Sequence, residues 1–304
     1  MSSTHQEREE PPSIADDQVM PPERLPGRIE VKTRQALATG ALQPLPTRWE
    51  HVEDAGVRFV VRVLARLAHK RQAGDARAPA DPFLPPYDPD LYLGTLEPGH
   101  VCLLNKYNVV DRHILIVTRD YQPQESPLVY RDFLALSLAM SALPGLAFYN
   151  GGTEAGASQP HKHLQLIPPT LDPEGPAIPM EPLLVDTDQP AGARLPFVHA
   201  VSRRGLPLED APAAASEMLS RYRDLLRATG LTPEGGLLPP YNLLVTRDWM
   251  LVIPRARGGW AGLSVNALGF AGAMLVKDDQ DLRRLRGYGP MRLLREVGLP
   301  AGSV

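Results

Sequence analysis

The chain has 304 residues, 43% of them hydrophobic and 22% charged, which is enough for one large hydrophobic core or two smaller ones. A formal net charge of −3 gives no global basic field for nucleic-acid binding, and the single cysteine excludes a disulfide framework within the chain. Because neither a secretory signal nor an apolar run of about 18 residues is evident, we expect a soluble, cytoplasmic protein that binds neither membranes nor nucleic acids. The sequence leaves the oligomeric state open and is compatible with a monomer.

Proline marks the irregular parts of this chain, since it ends helices and cannot donate a hydrogen bond to a sheet. Prolines and glutamates at the N-terminus predict a flexible tail over residues 1–26. One domain is expected over residues 27–304, with a long proline-rich connection across its surface at residues 168–196.

Hydrophobic periodicity predicts the regular elements. Apolar residues at helical spacing predict a helix over Val57–Lys70. The other predicted elements, in chain order, are strands Val101–Lys106 and Arg112–Thr118, helix Asp132–Leu143, strand Leu146–Asn150, a strand carrying His161 and His163, helix Ala213–Ala228, a hairpin of Tyr241–Thr246 and Met250–Ile253, and helices Leu263–Lys277 and Met291–Val297. Because strands and helices do not alternate regularly, we expect an α+β fold with a mostly antiparallel sheet flanked by helices.

The most informative segment of the sequence follows a glycine-rich turn at residues 149–158. His161, His163 and Gln165 occupy alternate positions, so a β-strand would place all three side chains on one face. A glycine-rich turn can bring backbone N–H groups close to an anion. Imidazoles beside an anion-binding loop suit nucleophilic chemistry at phosphorus.

The same two histidines could instead ligate a metal ion. Such a site needs a third and fourth ligand, and the sequence contains neither a Cys-x-x-Cys nor a His-Glu-x-x-His motif. We therefore predict no protein-bound metal. A divalent cation such as Mg²⁺ would accompany the phosphates of a nucleotide substrate, because such ions neutralise phosphate charge.

The His161-Lys-His-Leu-Gln165 segment resembles the histidine triad superfamily, in which nucleotidyltransferases carry glutamine where hydrolases usually carry a third histidine. Further segments narrow the resemblance to the ATP adenylyltransferase, or diadenosine tetraphosphate phosphorylase, family. They are Phe83-Leu-Pro-Pro86, Leu104-Asn-Lys-Tyr-Asn-Val-Val-Asp-Arg-His113, Thr118-Arg-Asp-Tyr-Gln-Pro-Gln124 and Tyr241-Asn-Leu-Leu244. The resemblance runs from about Gly40 to about Lys277. It implies a histidine-triad-like fold and phosphorolysis of diadenosine tetraphosphate to ATP and ADP through an adenylyl-histidine intermediate.

The resemblance also implies roles for the catalytic residues. His163 corresponds to the nucleophile of the family. His161 would orient it or transfer a proton, and His113 would be either a supporting residue behind the site or a structural histidine. A glutamine cannot titrate, so Gln165 would donate a hydrogen bond to a phosphoryl oxygen, which favours transfer to phosphate over hydrolysis. Gln165 could alternatively serve only packing.

A second group of residues would bind the nucleotide or its phosphates. The resemblance places Lys70, Asn105, Lys106 and Asn150 among them, together with a C-terminal segment that carries Ser264, Asn266 and Lys277. The glycine-rich turn would add backbone and side-chain donors from Gly156, Ala157, Ser158 and Gln159. For any single lysine, a solvated surface charge remains the alternative.

Two other functions stay open at this point. A hexose-1-phosphate uridylyltransferase shares a His-Pro-His motif and a glutamine, although this chain has Lys162 in place of the proline and no apparent zinc ligands. A non-catalytic nucleotide sensor would also keep the pocket, but binding alone does not require a nucleophile.

Overall fold

The computed structural model describes residues 19–65, 81–185 and 195–303. Within these ranges no helix is long and apolar enough to cross a membrane. The strands are β1 (Thr47–Asp54), β2 (Val57–Leu64), β3 (Tyr92–Glu97), β4 (His100–Leu104), β5 (Ile114–Thr118), β6 (Leu146–Gly151), β7 (His163–Ile167), β8 (Ala200–Ser202), β9 (Tyr241–Val245), β10 (Met250–Pro254), β11 (Gly259–Trp260), β12 (Leu263–Ser264) and β13 (Ala273–Val276). The α-helices are α1 (Leu25–Thr39), α2 (Tyr130–Ala142), α3 (Glu181–Val185), α4 (Ala211–Ala228), α5 (Asp279–Tyr288) and α6 (Pro290–Val297).

An eight-stranded antiparallel sheet forms the centre of the molecule. Its strand order is β3-β4-β5-β7-β6-β9-β10-β8, so the β7 strand with the histidine motif lies near the middle. One face packs against α1, α2 and α4 through an apolar core that includes Ile116, Leu164 and Tyr149. The other face packs against a second, three-stranded sheet of order β1-β2-β13 and against α5 and α6. The expected α+β architecture with a mostly antiparallel sheet is confirmed.

Several predicted elements match the structure to within a few residues. These include β4, β5, β6, the β9–β10 hairpin, and the helices α2, α4 and α6. The hairpin turn forms because the Thr246 hydroxyl accepts hydrogen bonds from the backbone N–H groups of Asp248 and Trp249, at 3.2 and 3.1 Å. Strands that are bounded by polar turn residues can therefore be predicted from this sequence.

The predicted helix Val57–Lys70 is wrong where the structure describes it. Residues Val57–Leu64 form β2, which is paired along its whole length with β1. One face of the strand is fully buried, whereas the other alternates buried Val60 and Leu64 with half-buried Arg58 and Arg62. Because apolar residues occur on both faces, they also recur at helical spacing, and the period does not separate strand from helix. Lys70, at the end of the predicted helix, lies outside the described residues.

The predicted helix Leu263–Lys277 is also wrong. The segment contains β12, a 3₁₀ helix at Ala267–Ala271 and β13. Gly272 has φ of +92° and ends the 3₁₀ helix, because its left-handed conformation cannot continue a right-handed one. The chain then extends into β13, which pairs in parallel with β2.

The predicted tail and connection contain ordered structure. Residues 1–18 lie outside the described ranges, whereas Met20 is buried and a 3₁₀ helix at Pro22–Arg24 leads into α1. The proline-rich stretch 168–196 buries Leu171 and Met180 in the second core and includes α3, before residues 186–194, which are not described. Sequence reasoning missed α1 and α5 altogether.

Candidate active site

His163 presents one ring nitrogen as a free lone pair. Its Nδ1 lies 2.8 Å from the backbone oxygen of His161, and since a carbonyl only accepts, Nδ1 carries the proton. Nε2 is then unprotonated, and no hydrogen bond to it is made by any described residue. Burial lowers the pKa of His163 to about 4, so the ring is neutral at physiological pH. This is the protonation state that a nucleophilic imidazole requires.

His161 is held in a different way and cannot play the same role. Its Nδ1 lies 2.8 Å from a carboxylate oxygen of Asp81, and its Nε2 lies 2.7 Å from the backbone oxygen of Thr118. The Thr118 hydroxyl also lies 3.0 Å from Nε2, so both ring nitrogens already have hydrogen-bond partners and neither is free for attack. The fully buried His161 therefore supports the nucleophile through its backbone oxygen, which orients the His163 ring.

Gln165 follows on the same face of β7, two residues after His163. The expected common face is observed, because His163 and Gln165 pair with Val117 and Leu115 of β5. The oxygen of the Gln165 amide lies 2.9 Å from Nε2 of His113. Its amide nitrogen has no hydrogen-bond partner within residues 19–65, 81–185 and 195–303, so it is available to a ligand.

Two further side chains hold His163 in place. The buried amide of Gln124 accepts a hydrogen bond from the His163 backbone N–H at 2.9 Å and donates one to the backbone oxygen of Asn150 at 2.8 Å. It thereby bridges β7 and β6 beyond the point where they pair with each other. The ring of Phe83 lies 5.0 Å from the ring of His163 and limits its movement.

The opposite face of the motif is anchored in the core. The fully buried ammonium of Lys162 lies 2.8 Å from a carboxylate oxygen of Asp132 in α2 and 2.9 Å from the backbone oxygen of Pro127. Such a charge tolerates burial only when paired in this way. The alternation expected from the sequence, with Lys162 pointing away from the histidines, is thus confirmed.

The glycine-rich turn supplies fewer backbone donors than the sequence indicated. The N–H of Gly156 donates to Thr153 and that of Ala157 donates to Gly152, at 2.9 and 3.1 Å. These two N–H groups stabilise the turn itself, so the prediction that they are free donors is wrong. The N–H groups of Ser158 and Gln159 have no backbone partner among the described residues and remain available to an anion.

Gly156 brings the turn against the C-terminal segment. Its φ is +94°, and a Cβ atom at this position would lie 2.8 Å from the Cα of Asn266. Ser264 and Asn266 line a cavity of about 190 Å³ together with Gly156. Their contact with the nucleotide stays a prediction. Lys277 lines a neighbouring cavity of about 570 Å³, beside Arg48 and Arg283.

Asn150 is oriented by its neighbours so that its amide nitrogen is free. Its side-chain oxygen accepts hydrogen bonds from the Asn242 amide and from the Ala267 backbone N–H, both at 2.9 Å. The Asn150 side-chain nitrogen has no partner in the described parts of the chain and is available to a ligand, and the nucleotide contact stays a prediction. Asn105 and Lys106 lie at the end of β4, where the Lys106 ammonium sits 5.3 Å from the ring of Tyr107.

Arg255 organises this side of the site without facing it. The buried guanidinium donates to the backbone oxygens of Ala155, Val265, Arg257 and Val297 and to the side chain of Asn242, at 2.6–3.3 Å. All of its donors are therefore used within the protein, which leaves none for a bound phosphate. Burial lowers its pKa to about 10, which leaves it charged at neutral pH.

Sequence reasoning missed four residues that shape the site, namely Asp81, Gln124, Asn242 and Arg255. Three of them lie in or beside the segments that carry the family resemblance, so that resemblance was the available signal. No group of three or more histidine, cysteine or acidic side chains that could hold a metal ion occurs in the described ranges.

His163 can therefore attack phosphorus beside two free amide donors, and the matching family models place this site in a nucleotidyltransferase of the histidine triad superfamily. A model of the Ap4A (diadenosine tetraphosphate) phosphorylase N-terminal domain matches residues 15–186, and a model of the ATP adenylyltransferase C-terminal domain matches residues 193–300. The chain belongs to the ATP adenylyltransferase/Ap4A phosphorylase family.

Known relatives agree with this assignment. Protein APA1 of Saccharomyces cerevisiae is 25% identical over 309 residues, covering 90% of this chain and 94% of that protein. Diadenosine 5',5'''-P1,P4-tetraphosphate phosphorylase 2 of the same yeast is 32% identical over 220 residues, covering 60% of this chain and 64% of that protein. The crystal structure of yeast Ap4A phosphorylase Apa2 in complex with AMP has a TM-score of 0.74 and 27% identity, covering 92% of this chain and 99% of that one.

Proposed function

We propose that this protein is an ATP adenylyltransferase that splits diadenosine tetraphosphate with inorganic phosphate, giving ATP and ADP. The observation that carries the proposal is the protonation state of His163, whose Nδ1 proton is fixed by a carbonyl and whose Nε2 lone pair is free. The family membership supplies the substrate class, and the yeast relatives tetraphosphate phosphorylase 2 and Apa2 are named as phosphorylases of this dinucleotide.

The reaction proceeds in two displacements at one phosphorus. Nε2 of His163 attacks the α-phosphorus of one adenylyl end, an N–P bond forms, and the P–O bond to the rest of the dinucleotide breaks so that ATP leaves. An oxygen of inorganic phosphate then attacks the same phosphorus, the N–P bond breaks, and ADP forms while His163 returns to its neutral state. Each step is reversible, so the same site also makes the dinucleotide from ATP and ADP.

The surrounding groups suit charge stabilisation better than proton transfer. The free amide nitrogens of Gln165 and Asn150 can donate to phosphoryl oxygens, while both ring nitrogens of His161 already have partners within the protein. None of these side chains can deprotonate water, whereas phosphate arrives as an anion that needs no base. A divalent cation would travel with the substrate phosphates and neutralise them.

The two other candidate functions have less support. Both matching family models describe Ap4A phosphorylase or ATP adenylyltransferase domains, which argues against a hexose-1-phosphate uridylyltransferase. A non-catalytic sensor would have no need for a buried, neutral His163 whose Nδ1 proton is fixed and whose Nε2 is free.

Radiolabelled inorganic phosphate tests the proposal directly. The protein is incubated with unlabelled dinucleotide and labelled phosphate, and the products are separated. Phosphorolysis places the label in ADP, in an amount equal to the unlabelled ATP formed. Formation of AMP with the label remaining in free phosphate would show a hydrolase instead, and uptake of dinucleotide without any product would show a binding protein.

A further inference from the structure

We propose that Asn105 and His113 are positioning residues that set which end of the Gln165 amide faces the reacting phosphorus. This inference rests on the proposed adenylyl transfer at His163. It gives His113 a defined task, and it gives Asn105 a task other than the nucleotide contact expected from the family.

The orientation can be assigned from a single backbone donor. The N–H of Tyr107 lies 3.3 Å from Oδ1 of Asn105, so that oxygen is the acceptor and the Asn105 nitrogen is the other end of the amide. This nitrogen lies 3.0 Å from Nδ1 of His113 and donates to it, so Nδ1 carries no proton.

The orientation of the Gln165 amide follows from the position of the proton on the His113 ring. A neutral histidine with an unprotonated Nδ1 carries its proton on Nε2, and this Nε2 lies 2.9 Å from Oε1 of Gln165. Burial lowers the pKa of His113 to about 4, which keeps the ring in this neutral form. The Gln165 oxygen is thereby occupied, and its amide nitrogen points to the same face of β7 as His163.

Gln165 needs hydrogen bonds that fix its orientation, because the two ends of a carboxamide have nearly the same shape. With its nitrogen toward the site, the side chain stabilises the negative phosphoryl oxygens. Turned around, it would direct the negative end of the amide dipole at those oxygens. Loss of one donor of this kind costs about 10²–10³-fold in rate in other enzymes that stabilise an oxyanion.

An Asn105→Asp substitution tests this relay, by which we mean the hydrogen bonds from Asn105 to His113 and from His113 to Gln165. The substitution replaces a donor with an acceptor at nearly constant size. The carboxylate can only accept, so Nδ1 of His113 must now carry a proton, and the carboxylate raises the His113 pKa. The doubly protonated ring still holds the Gln165 oxygen. Above the raised pKa, the ring keeps its proton on Nδ1 and loses the one on Nε2, and Gln165 turns around to donate to that nitrogen.

Other charged groups near His113 set the background for this titration. They are His163, whose charge would lower the His113 pKa, and the side chains that line a cavity of about 290 Å³ beside His113, namely Glu30, Arg34, Asp111 and Arg112. These groups are the same in every variant. A comparison between variants therefore isolates the effect of residue 105.

The assay measures discharge of the adenylylated protein by phosphate in a single turnover, from about pH 6 to about pH 9. We expect a nearly constant rate for the unaltered protein. The Asn105→Asp variant should be within about tenfold of it at the acid end and about 10²-fold slower at the alkaline end. The Asn105→Asp/His113→Gln double variant should be slow but independent of pH, because the titrating group is gone.

A matched pair at His113 gives a second test that does not depend on pH. Gln can accept from Asn105 and donate to Gln165, whereas Leu can do neither. We expect His113→Gln to stay within about tenfold of the unaltered protein and His113→Leu to lose about 10²-fold.

The outcomes separate this inference from the proposed function. If the unaltered protein forms no adenylyl-histidine, the proposed function itself is wrong. If it does, a pH profile of Asn105→Asp that runs parallel to the unaltered one would overturn the relay. Equal losses for His113→Gln and His113→Leu would also overturn it, as would pH dependence that persists in the double variant.

Discussion

Arg255→Lys should damage both the stability and the substrate binding of this protein, although it keeps the charge. The guanidinium satisfies five acceptors, and among them Ala155 belongs to the glycine-rich turn and Val265 to the segment between Ser264 and Asn266. An ammonium has three donors, so at least two buried acceptors lose their partner. Each unsatisfied buried acceptor costs about 1–3 kcal/mol, which predicts a loss of about 2–6 kcal/mol in the free energy of unfolding.

Urea unfolding followed by tryptophan fluorescence measures this loss, with steady-state kinetics on the folded variant. We expect the KM for the dinucleotide to rise more than kcat falls, because the phosphate-binding turn and the Ser264–Asn266 segment are no longer held together. Arg257→Lys is the matched control, since that side chain is exposed and should change neither quantity. A loss below about 1 kcal/mol in the free energy of unfolding, with an unchanged KM, would show that the Arg255 hydrogen bonds do not hold these segments in place.

Three further predictions concern the turn, the amide and the histidine pKa values. Gly156→Ala should raise the KM for the dinucleotide, because the new Cβ would lie 2.8 Å from the Cα of Asn266. Gly40→Ala is the control for backbone strain alone, since Gly40 also has a positive φ but a Cβ there would have no atom within 4 Å. Equal effects of the two substitutions would contradict the importance of the close approach to Asn266. Gln165→His should raise the AMP-to-ADP ratio at fixed phosphate, because it restores a titratable group beside the adenylyl-histidine; an unchanged ratio in an active variant would mean that another feature excludes water. The rate of adenylylation should be constant near neutral pH and fall as the pH drops through about 4, where His163 gains a proton on Nε2. Because the folded-state pKa values of His163 and His113 are both depressed, the unfolded chain binds more protons, and the free energy of unfolding should already decline below about pH 6.5. Circular dichroism separates this loss of folded protein from the loss of activity in the folded protein. An activity midpoint near pH 6.5 in folded protein would contradict the lowered pKa of His163.

The sequence predicted the chemistry of this site better than its surroundings. Alternation in His161-Lys-His-Leu-Gln165 was enough to predict a strand with both histidines and the glutamine on one face, because that pattern is local. The roles of His161 and His163 could not be separated from local spacing, since they depend on Asp81 and Thr118, which approach only in the folded chain. The resemblance to a family supplied what spacing could not.

The wrong predictions have equally physical causes. In Val57–Leu64, buried Val60 and Leu64 lie on the same face as half-buried Arg58 and Arg62, so its apolar residues fit helical spacing as well as strand spacing. Arg255 was assigned no structural role because its acceptors are spread over Ala155, Asn242 and Val297, far apart in sequence. The donors expected from Gly156 and Ala157 are consumed by the turn, a detail that composition does not reveal.

The most direct test of the account is to locate the covalent intermediate. The protein is incubated with diadenosine tetraphosphate in the absence of phosphate, quenched in base, digested, and analysed by mass spectrometry, with His163→Ala as the control. We expect one adenylyl group on His163, lost with formation of ADP when phosphate is added, and neither adduct nor turnover in His163→Ala. An adenylyl group on His161 or another residue, or a His163→Ala variant that keeps more than about a tenth of the activity, would contradict the assignment of His163 as the nucleophile.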